Sequence, residues 1–408
     1  MITRNIAILS FALILSGGTG LAAGEELVPL FDGKTLHGWE VCNGFAKYRV
    51  EDGAIVGTTA EGSPNSFLCT TKEYGDFILE FETKTDPALN SGVQIRSHRY
   101  TEDTTVTTFD GKQYGQHKQK AGRLYGYQVE ISNEESGTSG GIYDEARRGW
   151  IATIASDPAA SKAFKDKQWN KYRIVAVGDS IKTWVNGVAC ADLVDPLDQT
   201  GVIALQVHAY KAGSPAQVRW RNIRIQDLGR HVWKPLWDGK TLDSWTKSGG
   251  GSWSIEGGAI HAASAPGDPR VGFLISEASY RDLTTRVKFK IVKGNSGFFL
   301  RADKSNLAAY EVEIDEAKRT GGFWDTGGRN WVTGPEDNAA CHPNDWNELT
   351  ASLHGHRIVF HVNGVKTVDL PNDAQGRLEG HIALQVHGKR ETEIWFKDIE
   401  ILTPAGSE

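Results

Sequence analysis

Along much of the chain, apolar and polar residues alternate with a period of two. In Gly126-Tyr127-Gln128-Val129-Glu130-Ile131 the apolar Tyr127, Val129 and Ile131 alternate with Gln128 and Glu130. The stretch Ala309-Tyr310-Glu311-Val312-Glu313-Ile314 repeats the pattern. Such alternation predicts strands with one face in a core and the other wet. Two further stretches read in the same phase. Val93 and Ile95 point inward with Gln94 and Arg96 outward, and Leu205 and Val207 point inward with Gln206 and His208 outward. Strands sharing one sheet would then carry Arg96, Glu130 and His208 on a common polar face.

The same pattern occurs twice over nearly the whole chain. Leu30-Phe31-Asp32-Gly33-Lys34-Thr35-Leu36 recurs as Leu236-Trp237-Asp238-Gly239-Lys240-Thr241-Leu242, and Asn90-Ser91-Gly92 as Asn295-Ser296-Gly297. Ser139-Gly140-Gly141-Ile142-Tyr143-Asp144 is matched by Thr320-Gly321-Gly322-Phe323-Trp324-Asp325, which aligns Arg148 with Arg329 and Trp150 with Trp331. The spacing of equivalent positions falls from 205 residues at Asn90 and Asn295 to 183 at Glu130 and Glu313, so the first copy holds 22 extra residues between about Ser97 and Arg123. An insertion beside a site serves as a lid, a binding loop or a plain surface excursion. Asn186-Gly187 and Asn363-Gly364 between apolar runs predict hairpins. Both copies then reach Ile-Ala-Leu-Gln-Val-His, ending at His208 and His387. A short surface helix is expected over 157–167. Many short strands with turn signals predict an all-β chain of two tandem β-sandwiches.

Composition narrows the partners. A chain of 408 residues can bury two cores. The formal charge of −6, with no long basic run, argues against nucleic acid. Arg4, the apolar run Ile6 to Ser16 and the small residues Ala22-Ala23 read as an export signal over 1–23. The mature chain is therefore expected to be periplasmic or secreted, with no stable membrane insertion. Cys42 with Cys69 is the favoured disulfide pair among the four cysteines, and none shows metal-ligand spacing.

Taken together, Phe31-Asp32-Gly33-Lys34-Thr35-Leu36, Asn90-Ser91-Gly92-Val93-Gln94-Ile95-Arg96, Gly126 to Ile131, Gly140-Gly141-Ile142-Tyr143-Asp144-Glu145-Ala146-Arg147-Arg148-Gly149-Trp150 and Ile203 to His208 resemble the 3-keto-disaccharide hydrolase family. The resemblance covers nearly all of residues 25–228, and a shorter version covers 232–403. It implies two jelly-roll sandwiches of the concanavalin or laminin-G type acting on glycosides oxidised to a ketone at sugar C3. The second copy departs from the pattern: Phe299 replaces Gln94, Glu311 replaces Gln128, and Trp324-Asp325-Thr326-Gly327-Gly328-Arg329 replaces the Tyr-Asp-Glu-Ala-Arg-Arg loop.

A 3-keto group acidifies the C2 proton, so a base can remove it and the enolate can expel the C1 substituent. That route needs a base near neutral pKa and a positive group or a metal for the enolate oxygen. The catalytic candidates are His208 and Glu130 as base or orienting group, Arg96 or Arg148 for the enolate, and Tyr143 for the leaving oxygen. Gln94, Gln128, Asp144, Arg148, Trp150 and Gln206 are candidates for holding the sugar. Their second-copy counterparts are Arg301, Glu311, Glu313, Asp325, Arg329, Gln385 and His387. A divalent ion held by Glu130, His208 and Asp144 would suit an enolate. Two other readings compete. One is a glycosidase using a carboxylate pair, for which Glu311, Glu313 and Asp315 offer strand spacing. The other is a sugar-binding module without catalysis, since the sandwich also serves lectins.

Overall fold

The computed structural model describes residues 26–407 apart from 211, 212, 214, 265, 266 and 268. The expected export signal lies outside the described residues. The alternating stretches become strands, and each copy of the repeat builds two antiparallel sheets. In the first copy the sheet that carries the central strand runs, edge to edge, Gly149–Ala152, Ile142–Glu145, Leu124–Ile131, Ser91–Arg99, Gly201–Val207, Ser66–Tyr74 and Trp39–Asn43. The second sheet is centred on Asp76–Thr85, between Asn170–Val177 and Gln217–Gly229.

Packing makes these sheets a sandwich. Val93, Ile95, Tyr127 and Val129 from one sheet share a buried cluster with Leu79, Tyr172, Ile174 and Trp220 from the other. The second copy repeats this with Phe298, Leu300, Tyr310 and Val312 against Val287, Phe289, Leu349 and Phe396. The protein is thus all-β, built as two tandem jelly-roll sandwiches. The helix expected over 157–167 is reduced to one 3-10 turn at Ala160–Lys162. No described helix is long and apolar enough to cross a membrane. Cys42 and Cys69 form a disulfide, while Cys190 and Cys341 are free thiols.

One irregularity decides what reaches the polar face. Between Gln94 and Ser97 the strand holds one residue more than its neighbour has between Ala204 and Val202. The same excess appears against the other neighbour, between Tyr127 and Tyr125. Arg96 is the extra residue, with a left-handed φ of 46°. A bulge of this kind reverses the alternation beyond it. Arg301 repeats the feature with φ 50°, beside a shift between Phe299 and Ala302.

The insertion in the first copy becomes a separate hairpin, Thr104–Phe109 paired with Tyr114–Gln119. It crosses to the second sandwich, where the Tyr114 hydroxyl donates to the Ala340 carbonyl at 2.6 Å. Further bridges join the copies. Asp179 accepts from Thr284 at 2.6 Å and pairs with His354 at 2.9 Å, and Arg357 pairs with Asp192 at 2.8 Å.

Candidate active site

The polar face of the first sandwich holds an open pocket of about 460 Å³. Glu130, Gln128, Tyr143, Trp150, Gln206 and His208 all line it, and strand phase predicts this for Gln128, Glu130, Gln206 and His208. Register explains the grouping. Gln128 lies opposite Tyr143 on one side and opposite Gln94 on the other, and directly paired residues of antiparallel strands share a face. Gly92 faces Glu130 across the ladder. A Cβ at Gly92 would come within 2.5 Å of the Gln128 side chain, so glycine leaves the space that Gln128 fills.

Glu130 is 5% exposed. Its carboxylate accepts from Asn90 Nδ2 and from Gln128 Nε2, the latter at 3.1 Å. Gln128 Oε1 in turn accepts from Gln94 Nε2 at 3.0 Å, and Gln94 Oε1 accepts from Ser97 Oγ at 2.7 Å. This buried chain of donors fixes the carboxylate. Burial nevertheless wins: loss of water pushes the Glu130 pKa up to about 7, against the lowering pull of Asn90 and Gln128 and with a small push from the Glu145 charge. A carboxylate half-ionised near neutral pH suits proton abstraction.

The neighbouring groups flank it. Tyr143 stands on the adjacent strand, edge-on to Trp150 with ring centroids 5.4 Å apart, and burial raises its phenol pKa. Trp150 is 42% exposed and packs against Gly141, where a Cβ would meet its ring at 3.1 Å. The Gly-Gly motif thus seats the aromatic at the pocket rim. On the other side of Glu130 in sheet order, His208 follows the strand Gly201–Val207. His208 Nδ1 lies 3.0 Å from the Ala209 carbonyl oxygen, which can only accept. The proton therefore sits on Nδ1, leaving Nε2 as the basic nitrogen. No hydrogen bond joins His208 to Glu130 among the described contacts, so orientation of one by the other is not part of the arrangement. The Gln206 amide finds no partner among the described residues and lies in the pocket floor.

Three expected members are elsewhere. Arg96, turned by its bulge, is fully buried and donates to the carbonyls of Gly75 at 2.7 Å and Gly178 at 2.6 Å, while pairing with Asp76 at 3.1 Å. It is a structural cation, outside the pocket. Asp144 lies opposite Tyr127 and so faces the core side, where it pairs with Arg147 at 2.9 Å and Arg148 at 2.5 Å. Arg148 follows it there and pairs with Asp195 at 2.8 Å. Gln94 stays on the expected face but beneath Gln128, as a support. Since Asp144 lies across the sheet from Glu130, the three proposed metal ligands do not converge. No group of three or more His, Cys, Asp or Glu side chains suited to a metal occurs among the described residues. The available donors do not fit a protein-held divalent ion.

Sequence phase missed Asn65, Asn90, Arg123 and Glu145, all of which line the pocket. Arg123 pairs with Glu145, and Asn65 Nδ2 donates to Glu145 at 3.0 Å. Asn90 stood in a repeated motif and Glu145 stands two residues beyond Tyr143, so both carried a signal. Arg123 and Asn65 come from loops whose path only the fold defines.

The second sandwich has a counterpart pocket of about 410 Å³ containing Glu311, Glu313, Gln385 and His387, with Asn295, Asp315, Trp324, Trp331 and Arg390. Burial raises Glu313 to about 7 and Glu311 well above the carboxylate range. Arg301 is excluded by its bulge and donates to the carbonyls of Gly355 at 2.9 Å and Arg377 at 2.8 Å. Asp325 pairs with Arg329 away from the pocket, and Arg329 also reaches Asp373 at 2.5 Å.

Two antiparallel sandwiches, each with a polar pocket on one sheet, define a tandem jelly-roll protein. Both copies match the model of the 3-keto-alpha-glucoside-1,2-lyase-like domain, over residues 26–226 and 232–402, and the chain belongs to that family. Among solved structures, one from Parabacteroides distasonis, described as a proposed glycosyl hydrolase, is 19% identical with a TM-score of 0.34, over 50% of this chain and 94% of that chain. The carbohydrate-binding module CBM66 from Bacillus subtilis is 20% identical with a TM-score of 0.32, over 38% and 93%. A galectin-like protein of unknown function from Bacillus subtilis is 12% identical with a TM-score of 0.34, over 42% and 94%. No curated protein sequence matches the chain.

Proposed function

We propose that the first sandwich cleaves 3-keto-α-glucosides by elimination, with Glu130 as the base. The observation that carries this reading is a buried carboxylate, pushed to about 7, at the floor of an open polar pocket. Glu130 takes the C2 proton, and the electron pair moves into the enolate of the 3-keto group. Arg123, in place of the expected Arg96, supplies positive charge for the enolate oxygen. The enolate then expels the C1 oxygen, which takes a proton from the Tyr143 hydroxyl. Water adding to the unsaturated sugar at C1 loses a proton to His208 Nε2 while Glu130 returns its proton to C2; His208 then passes its proton to the Tyr143 phenolate, so the net change is hydrolysis. The family description, which names an α-glucoside and a 1,2-lyase, supports both substrate class and bond.

The test is aglycone release from 3-keto-α-glucosides and from their unoxidised parents, with and without EDTA. Release from the keto compounds alone is expected. Release from the parents as well would indicate a conventional glycosidase. Binding without release would move the chain to the sugar-binding reading, which the exposed Trp150 favours.

A further inference from the structure

The insertion that distinguishes the first copy also encloses space. Its hairpin pairs only with itself, leaves the first sandwich and rests on the second, with the Tyr114 ring 4.9 Å from that of His342. Beneath it, between the copies, lies a cleft of about 260 Å³. Aromatic surface comes from Phe109 and Tyr114, whose rings lie 5.1 Å apart, and from Trp150. The floor is polar and comes from both copies: Arg148 and Asp195 from the first, His361 from the second.

Two donors or acceptors there are left over. Arg148 bonds Asp144, Asp195 and the Gly364 carbonyl, yet its Nη2 finds no partner among the described residues. His361 is 4% exposed, and its Nδ1 likewise has no partner among them. Unmet buried polar atoms are costly, and a polar ligand whose hydroxyls reach them relieves the cost. Aromatic walls over a few polar groups suit a sugar ring, which shows C–H faces to aromatics and hydroxyls to donors. Trp150 lines both this cleft and the Glu130 pocket, so one chain of sugars could occupy both.

We propose that the cleft is a second sugar subsite, roofed by the inserted hairpin and floored by both copies, for the unit of an α-linked gluco-oligosaccharide that lies beyond the ring bound at Glu130. This proposal rests on the reading of the Glu130 pocket as a saccharide site. It gives the second sandwich a part in choosing substrates even where its own pocket is inactive.

The experiment is calorimetric titration of the full chain, carrying Glu130→Gln, with maltose and maltotetraose. Maltotetraose should bind about tenfold more tightly, a gain of about 1.4 kcal/mol. That gain should vanish in Phe109→Ala/Tyr114→Ala, and equally in Thr108→Trp, which fills the cleft without removing a contact. Equal affinities in the parent, or a gain that survives Thr108→Trp in a folded protein, overturn the proposal. Wild-type turnover of 3-keto-α-glucosides is measured alongside. A hairpin-dependent gain without turnover keeps the subsite and discards the catalytic reading, and turnover without the gain does the reverse.

Discussion

The two pockets grew from one pattern, and their differences bear on which of them can do chemistry. In the first, the carboxylate at Glu130 rests on amides: Asn90 and Gln128 each donate to it, and Gln94 donates to Gln128. In the second, Glu311 stands where Gln128 stands and Phe299 where Gln94 does, so a second acid lies on an apolar bed of Phe273, Phe299 and Ala383. Burial first, and the Glu313 charge second, hold Glu311 far above the usual carboxylate range.

The histidines differ as well. His208 Nδ1 faces a carbonyl, whereas His387 Nδ1 accepts the backbone N–H of Lys389 at 3.2 Å. The first therefore presents a basic Nε2 and the second an Nε2–H. Burial, with Arg390 and Lys389 nearby, further lowers the His387 pKa. The lesson is that an identical Gln-Val-His ending yields opposite imidazole faces, because the following loop decides which backbone group meets the ring.

The comparison is broken most severely by removing the two central acids in turn. Glu130→Gln keeps the shape and should lower kcat on 3-keto-α-glucosides about 10³-fold, within the range for loss of a general base. Glu313→Gln should cost only a fewfold. Equal losses would make both copies catalytic, and the reverse order would move the chemistry to the second. Stopped assays of aglycone release read all three outcomes.

Next in size is the histidine pair. His208→Ala should slow net hydrolysis about 10²-fold and let the unsaturated sugar accumulate, detectable by mass spectrometry. His387→Ala should leave product ratios alone. If His208→Ala blocks C2 deprotonation itself, seen as lost solvent-deuterium exchange at C2, histidine rather than Glu130 is the base.

The smallest effect sharpens the electrostatic contrast. Gln128→Glu imports the second copy's acid into the first. A neighbouring negative charge disfavours ionised Glu130, so its pKa must rise. Wild-type kcat/KM should climb through a midpoint of about 7 as the carboxylate ionises, and activity is lost as pH falls below it. In Gln128→Glu the midpoint moves to higher pH, with about a fivefold loss at pH 7, as expected for a rise of about one unit. A midpoint that moves down, or stays, would show that Glu130 does not set the profile.

The sequence by itself determined most of the scaffold. Alternation at Tyr127, Val129 and Ile131 and at Val93 and Ile95 has one stable outcome, burial of the apolar set, which puts Gln128, Glu130 and Gln94 on the opposite face. Duplication likewise exposed the hairpin as an insertion. Tertiary structure decided the rest. A single extra residue at Arg96 reversed the phase that alternation assumes and withdrew the arginine into a cage of carbonyls. Pairing opposite Tyr127 turned Asp144 to the core side, away from Glu130. Arg123, Asn65 and the cleft between the copies depend on loop paths and on contacts such as Tyr114 with Ala340. Strand phase is a local property with a period of two, while bulges, loop paths and the docking of one sandwich on another are set by partners distant in the chain.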